Sequence, residues 1–158
     1  MAIKHKEKPT TLLGSSYQKF WQGFNEASQR DERFCMNFKS HPYGSIRSYQ
    51  DYAIGEPFHI AVGINFARHE IRVGAYFSNV DIYKFFFEEN KTQIEAHTGR
   101  MLTWKLHKTK GSAYLYDTAD FDESHGWNKA YNVMIEDMLI MGKAFCNVPP
   151  KPIIYYKR

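Results

Sequence analysis

A chain of 158 residues with 12 Phe, 11 Tyr and 3 Trp and a formal net charge of +4 is one domain's worth, and it can bury roughly 68–70% of its unfolded surface without help from a disulfide or a metal. No apolar run nears the ~18 residues of a membrane helix, and the opening MAIKHKEKPT has no apolar stretch behind its charges, so it does not read as a secretion signal. Cys35 and Cys146 stand far apart and make no disulfide framework, so a reducing, cytoplasmic setting is expected.

The positive charge is concentrated at the ends. Residues 1–8 carry +2 and residues 151–158 carry +3, which leaves −1 for everything between. Short charged termini are usually solvated, so the sequence pI near 9.0 is weak support for a DNA-binding body. Within the body, Arg100, Lys105, Lys108 and Lys110 form a basic stretch with His107, and Asp117, Asp120, Asp122 and Glu123 form an acidic one.

In chain order, Ser15 and Gln18 have capping-box spacing and predict a first helix from Ser15, with Tyr17, Phe20, Trp21 and Phe24 on one aromatic face. Residues 31–45 read as a loop. Three strands follow at 46–54, 57–66 and 70–77. Phe58, Ile60, Val62, Ile64 and Phe66 share one side of the second strand, and Ile71, Val73, Ala75 and Phe77 share one side of the third. This period-two alternation across a few loop residues predicts an antiparallel hairpin turning at Phe66–His69. A second helix is expected from Ser78, capped through Asp81, to Gly99 as its left-handed terminator. Strands at 102–107 and 112–117, joined by KTKG, and a third helix at 124–146 ended by Pro149 and Pro150 complete the pattern, with a short terminal strand at Ile153–Tyr156.

The expected architecture is α+β: a five-stranded, mainly antiparallel sheet with three helices in the order α-βββ-α-ββ-α. Residues 15–148 would form a single domain between a flexible basic tail, 1–14, and a Pro-led basic tail, 149–158. Helices on one sheet face would leave His59, Asn65, Arg72, Tyr76, Lys105, His107, Tyr114 and Tyr116 on the other.

The chemical motifs are sparse. Glu70 and Arg72 have the spacing of a metal-dependent nuclease strand, with Asp51 as the only upstream acid in reach, but an arginine cannot serve as a general base at neutral pH, and a hairpin turn explains the segment. The acids from Asp117 to Glu123, with His125, lack the spacing of a calcium loop and suit a helix start, where they face the positive end of the dipole. The seven histidines form no HxH, HxxH or HExxH motif. No nucleophile elbow, phosphate-binding glycine loop or dinucleotide fingerprint is present. The polar-aromatic sheet face remains. Its tyrosines could stack bases and its cations meet phosphates, or the face could be ordinary solvated or dimer-buried surface.

Tyr17-Gln18-Lys19-Phe20-Trp21, Ile54-Gly55, Phe58-His59-Ile60-Ala61-Val62, the run Ile71 to Phe77, the run Ile94 to Gly99 and Leu102-Thr103-Trp104 together resemble a bacterial and archaeal family known as domain of unknown function 4268, over about residues 15 to 146. The resemblance implies no established activity and no catalytic residues. It also implies that longer members carry this domain behind a nuclease-like one, in a DNA-processing or defence setting. With 14 residues ahead of the first expected helix, the cutting half is expected to be absent here.

The expected role is therefore a non-catalytic accessory or interaction domain with nucleic acid or a nuclease as partner. Its candidate binding face is His59, Arg72, Tyr76, Lys105, His107, Tyr114 and Tyr116, and no cofactor, metal or membrane is expected. Two alternatives stay open: a small-molecule binder or enzyme with a sheet-face pocket, and a homodimer joined through that face.

Overall fold

Thr11 starts the first helix of the computed structural model, which describes residues 6–148. Its Oγ1 accepts from Gly14 N at 2.9 Å and caps α1 (Leu12–Gln29). The helix therefore begins three residues before the expected Ser15. Gln18 does not close a capping box, because its Nε2 donates to the Glu7 carbonyl at 2.8 Å. The aromatic stripe lies where the spacing put it, with Phe20, Trp21 and Phe24 buried.

The expected loop 31–45 contains α2 (Glu32–Asn37), capped by Asp31 Oδ1 on Phe34 N at 3.0 Å. Six residues are too few to display a helical period. The one buried side chain of α2, Phe34, meets the edges of Phe24 and Tyr52.

The strands β1 (Tyr49–Ala53), β2 (His59–Asn65) and β3 (Glu70–Phe77) form an antiparallel meander. Residues 66–69 reverse the chain as expected. Asn65 Oδ1 accepts from Arg68 N at 3.0 Å, and His69 takes a left-handed φ of 52°.

The second helical segment is interrupted. α3 (Val80–Lys84) is capped by Asn79 Oδ1, one residue after the expected Ser78. A π-turn spans Phe85–Glu89 before α4 (Asn90–Thr98). The extra residue per turn shifts the phase, so Phe85 and Phe86 are both buried while Phe87 lies at the margin against Tyr83 and Trp104. Gly99, with φ 70°, ends the segment.

β4 (Thr103–Leu106) and β5 (Gly111–Thr118) complete the sheet, whose spatial order is β1-β2-β3-β5-β4 with every neighbouring pair antiparallel. β3 and β4 thus run the same way with β5 between them. A connection of that kind needs a crossover, and α3 through α4 supply it. A 3-10 turn at Glu123–His125 precedes α5 (Asn128–Cys146), so the third expected helix starts later than residue 124. The expected strand Ile153–Tyr156 and the C-terminal tail lie outside the described residues.

α5 packs on β2 and β3, and α3 packs on β3 and β5. The core lies between helices and sheet: Ile60, Val62, Ile71, Val73, Phe77 and Leu115 from the strands meet Phe20, Trp21, Phe24, Phe86, Met138 and Phe145. Each large apolar side chain buried there contributes about 1.5–3 kcal/mol relative to exposure. Rings meet mostly edge-on or tilted, as Phe20 does with Trp21, Phe121 and Tyr131, the geometry favoured by aromatic quadrupoles. Among the described residues, no helix is long and apolar enough to cross a membrane.

Candidate binding face

Because side chains alternate across a strand, the register sorts the outward residues into rows. One row runs Ala53, His59, Tyr76, Ser112, Lys105; the next Asp51, Ala61, Gly74, Tyr114, Thr103; the third Tyr49, Gly63, Arg72, Tyr116. Six of the seven residues of the expected binding face are brought together there. His107 is not: β4 stops at Leu106, and His107 sits in the β4–β5 turn, exchanging backbone hydrogen bonds with Lys110.

The small residues of the middle rows make a cup of about 290 Å³, lined by Tyr49, Asp51, His59, Ala61, Arg72, Tyr76 and Tyr114. His59 and Tyr76, direct cross-strand partners, stack at 5.0 Å with planes 29° apart. His59 Nε2 lies 3.3 Å from Asp51 Oδ1. Arg72 places its guanidinium carbon 5.5 Å from the centre of the Tyr114 ring, a cation–π contact. Its Nε is buried and has no hydrogen-bond partner. Burial pushes the Tyr114 phenol above its ordinary pKa, opposed by the nearby Arg72 charge, so Tyr114 is a neutral hydrogen-bonding group at physiological pH.

Backbone crowding requires glycine at position 74, while a side chain at position 63 would displace Arg72. A Cβ on Gly63 would come within 2.5 Å of Arg72 Nε, and one on Gly74 within 2.0 Å of the Ala113 carbonyl oxygen. Sequence reading missed Tyr49, Ala61, Gly63 and Gly74 as parts of a site. The available signal was two glycines at outward positions of adjacent strands, where a strand interior normally disfavours them.

Asp51 and Glu70 do not converge. Asp51 pairs across from Ala61, and Glu70 from Asn65 at the far end of β2, on the order of 13 Å away along the strand. The acidic stretch also separates. Asp120 Oδ2 lies 2.7 Å from His125 Nδ1; this hydrogen bond lowers the Asp120 pKa and raises that of His125. Asp122 caps the 3-10 turn through Ser124. Among the described residues, no group of three or more His, Cys, Asp or Glu side chains could hold a metal ion.

Asp117 leaves its acidic neighbours altogether. On the helix-facing side of β5, its Oδ1 accepts from Arg100 Nη2 at 3.0 Å, while Arg100 Nη1 donates to Asp137 Oδ1 of α5 at 3.1 Å. The second oxygens of Asp117 and Asp137 are buried without another donor. Burial, then the hydrogen bond to Asp117, pushes the Asp137 carboxyl up to about 8, with Arg100 acting in the opposite direction. Asp137 thus keeps its proton at neutral pH, in a clamp that joins the end of α4, β5 and α5.

These features define an α+β domain built on a one-sided antiparallel sheet. The chain belongs to the family described as domain of unknown function (DUF4268), whose model matches residues 16–148. No curated protein and no solved structure matches it.

Proposed function

We propose that this chain is a non-catalytic binding domain that takes single-stranded nucleic acid across its helix-free sheet face. The observation that carries the reading is Arg72: a cation spread on Tyr114 in a cup open to solvent. Its planar guanidinium suits paired hydrogen bonds to a phosphate or base oxygen. Around it, Tyr76, His59, Tyr114 and Tyr116 offer ring faces, each stacked base contributing about 1–3 kcal/mol. Lys105, Lys108 and Lys110 are exposed along the adjoining edge and suit a phosphate backbone. A duplex hides its base faces, so single strands are the better fit.

Fluorescence anisotropy of labelled 12-nucleotide DNA and RNA tests the reading. Binding is expected at low salt, with log K falling by about 0.7 per phosphate contact for each unit of log salt. Arg72→Gln and Tyr76→Ala should each weaken binding on the order of tenfold. Neutralising Lys4, Lys6, Lys151, Lys157 and Arg158 together should leave that sheet-dependent part in place. No binding at low salt, or binding lost wholly with the terminal charges, would overturn the proposal. A dimer mass in light scattering, with no oligonucleotide bound, would assign the face to a second copy instead.

A further inference from the structure

We infer that the cup centred on Ala61 is a base-reading subsite selective for guanine, an inference that rests on the nucleic-acid role proposed above. The cup's volume of about 290 Å³ lies at the small end of ligand pockets, which suits one ring system and excludes a folded segment of protein. Its base is the small side chain of Ala61, beside Gly74 in the register, and its walls are the planar groups of Tyr49, Tyr114 and the His59–Tyr76 stack. The occupant is therefore flat.

Two wall residues carry opposite hydrogen-bonding character. Asp51, when ionised, only accepts, and Arg72 only donates. The Asp51 carboxylate lines the cup with His59 Nε2 3.3 Å from its Oδ1, and its remaining lone pairs are available for a ligand. Guanine presents two adjacent donors, N1–H and the N2 amino group, which one carboxylate accepts together, and on its other side O6 and N7, the usual acceptors for arginine. Adenine and cytosine offer a carboxylate one amino group beside a ring acceptor. Thymine and uracil offer a single N–H flanked by two carbonyls. Guanine alone among the bases satisfies both walls with paired bonds.

The test is anisotropy with seven-nucleotide strands of dT carrying one central variable base: guanine, hypoxanthine, adenine or cytosine. Guanine should bind at least about tenfold tighter than adenine or cytosine. Hypoxanthine, which lacks only the N2 amino group, should lose most of that advantage. Asp51→Asn should abolish the guanine preference, so that the guanine and adenine strands bind alike. Equal binding of all four strands would overturn the guanine assignment and leave the nucleic-acid reading standing. Binding of none would overturn both, and because the hypoxanthine comparison uses the unaltered protein, its outcome does not depend on how the variant folds.

Discussion

Asp137→Asn probes the clamp at Arg100, Asp117 and Asp137. In the folded chain Asp137 retains its proton up to about pH 8, whereas an unfolded aspartate releases it near its ordinary pKa of about 3.9. Between those values the folded state binds the extra proton. Stability is therefore fully present below about pH 4, falls as pH rises, and is lost through the folded pKa near 8, with a limiting slope of about 1.4 kcal/mol per pH unit. Over pH 5 to 8 the limit is about 4 kcal/mol. Asp137 is only 5% exposed, but the side chains of Arg100 and Asp117 are 36% and 25% exposed. Solvent screening at those two groups cuts the expected loss to about 2 kcal/mol. In Asp137→Asn the amide nitrogen donates to Asp117 and the amide oxygen accepts from Arg100, so the clamp stays closed without a titrating proton. Urea unfolding followed by tryptophan fluorescence at pH 5, 6, 7 and 8 should show the wild type losing about 2 kcal/mol relative to the variant. Parallel pH profiles for the two proteins, or a wild type that gains on the variant as pH rises, would refute the proton held by Asp137.

Three further substitutions separate the sheet's packing from its binding surface. Gly74→Ala drives a Cβ against the Ala113 carbonyl, which cannot yield without parting β3 from β5, so a loss of about 1–3 kcal/mol is expected in thermal or urea unfolding. Gly63→Ala meets only the flexible Arg72 side chain; stability should change by less than about 1 kcal/mol, while oligonucleotide affinity drops as the guanidinium is displaced. Phe20→Ala removes a ring in contact with Trp21, Phe66, Phe121, Trp127 and Tyr131 and should cost about 3–5 kcal/mol, read as a fall in Tm on the order of 6–20 °C.

Strand alternation made most of the sheet legible in the sequence, because Ile60, Val62 and Ile64 against His59, Ala61 and Gly63 can satisfy only one orientation toward the core. The hairpin turn at residues 66–69 and the glycine stop at Gly99 were legible for the same local reason. What the sequence hid was either too short or too distant. The six residues of α2 carry no period, and the π-turn breaks the phase of Phe85, Phe86 and Phe87. Asp117 reads as one more acid in a solvated run, yet the pleat of β5 turns it toward α5, where Arg100 and Asp137 meet it from 17 and 20 residues away. The candidate face was legible as a list of outward side chains. The cup was not, since its shape comes from the small side chain of Ala61 beside Gly74 in the register, and its acceptor wall, Asp51, enters only through the β1–β2 register.

Amide NMR during titration with a 12-nucleotide strand shows whether the helix-free face of the sheet binds single-stranded nucleic acid. The largest shift changes are expected at Ala61, Gly63, Gly74, Tyr76 and Ser112, together with the Arg72 Nε–H. Changes confined to the helical side, or no change at saturating strand and low salt, would contradict binding at that face.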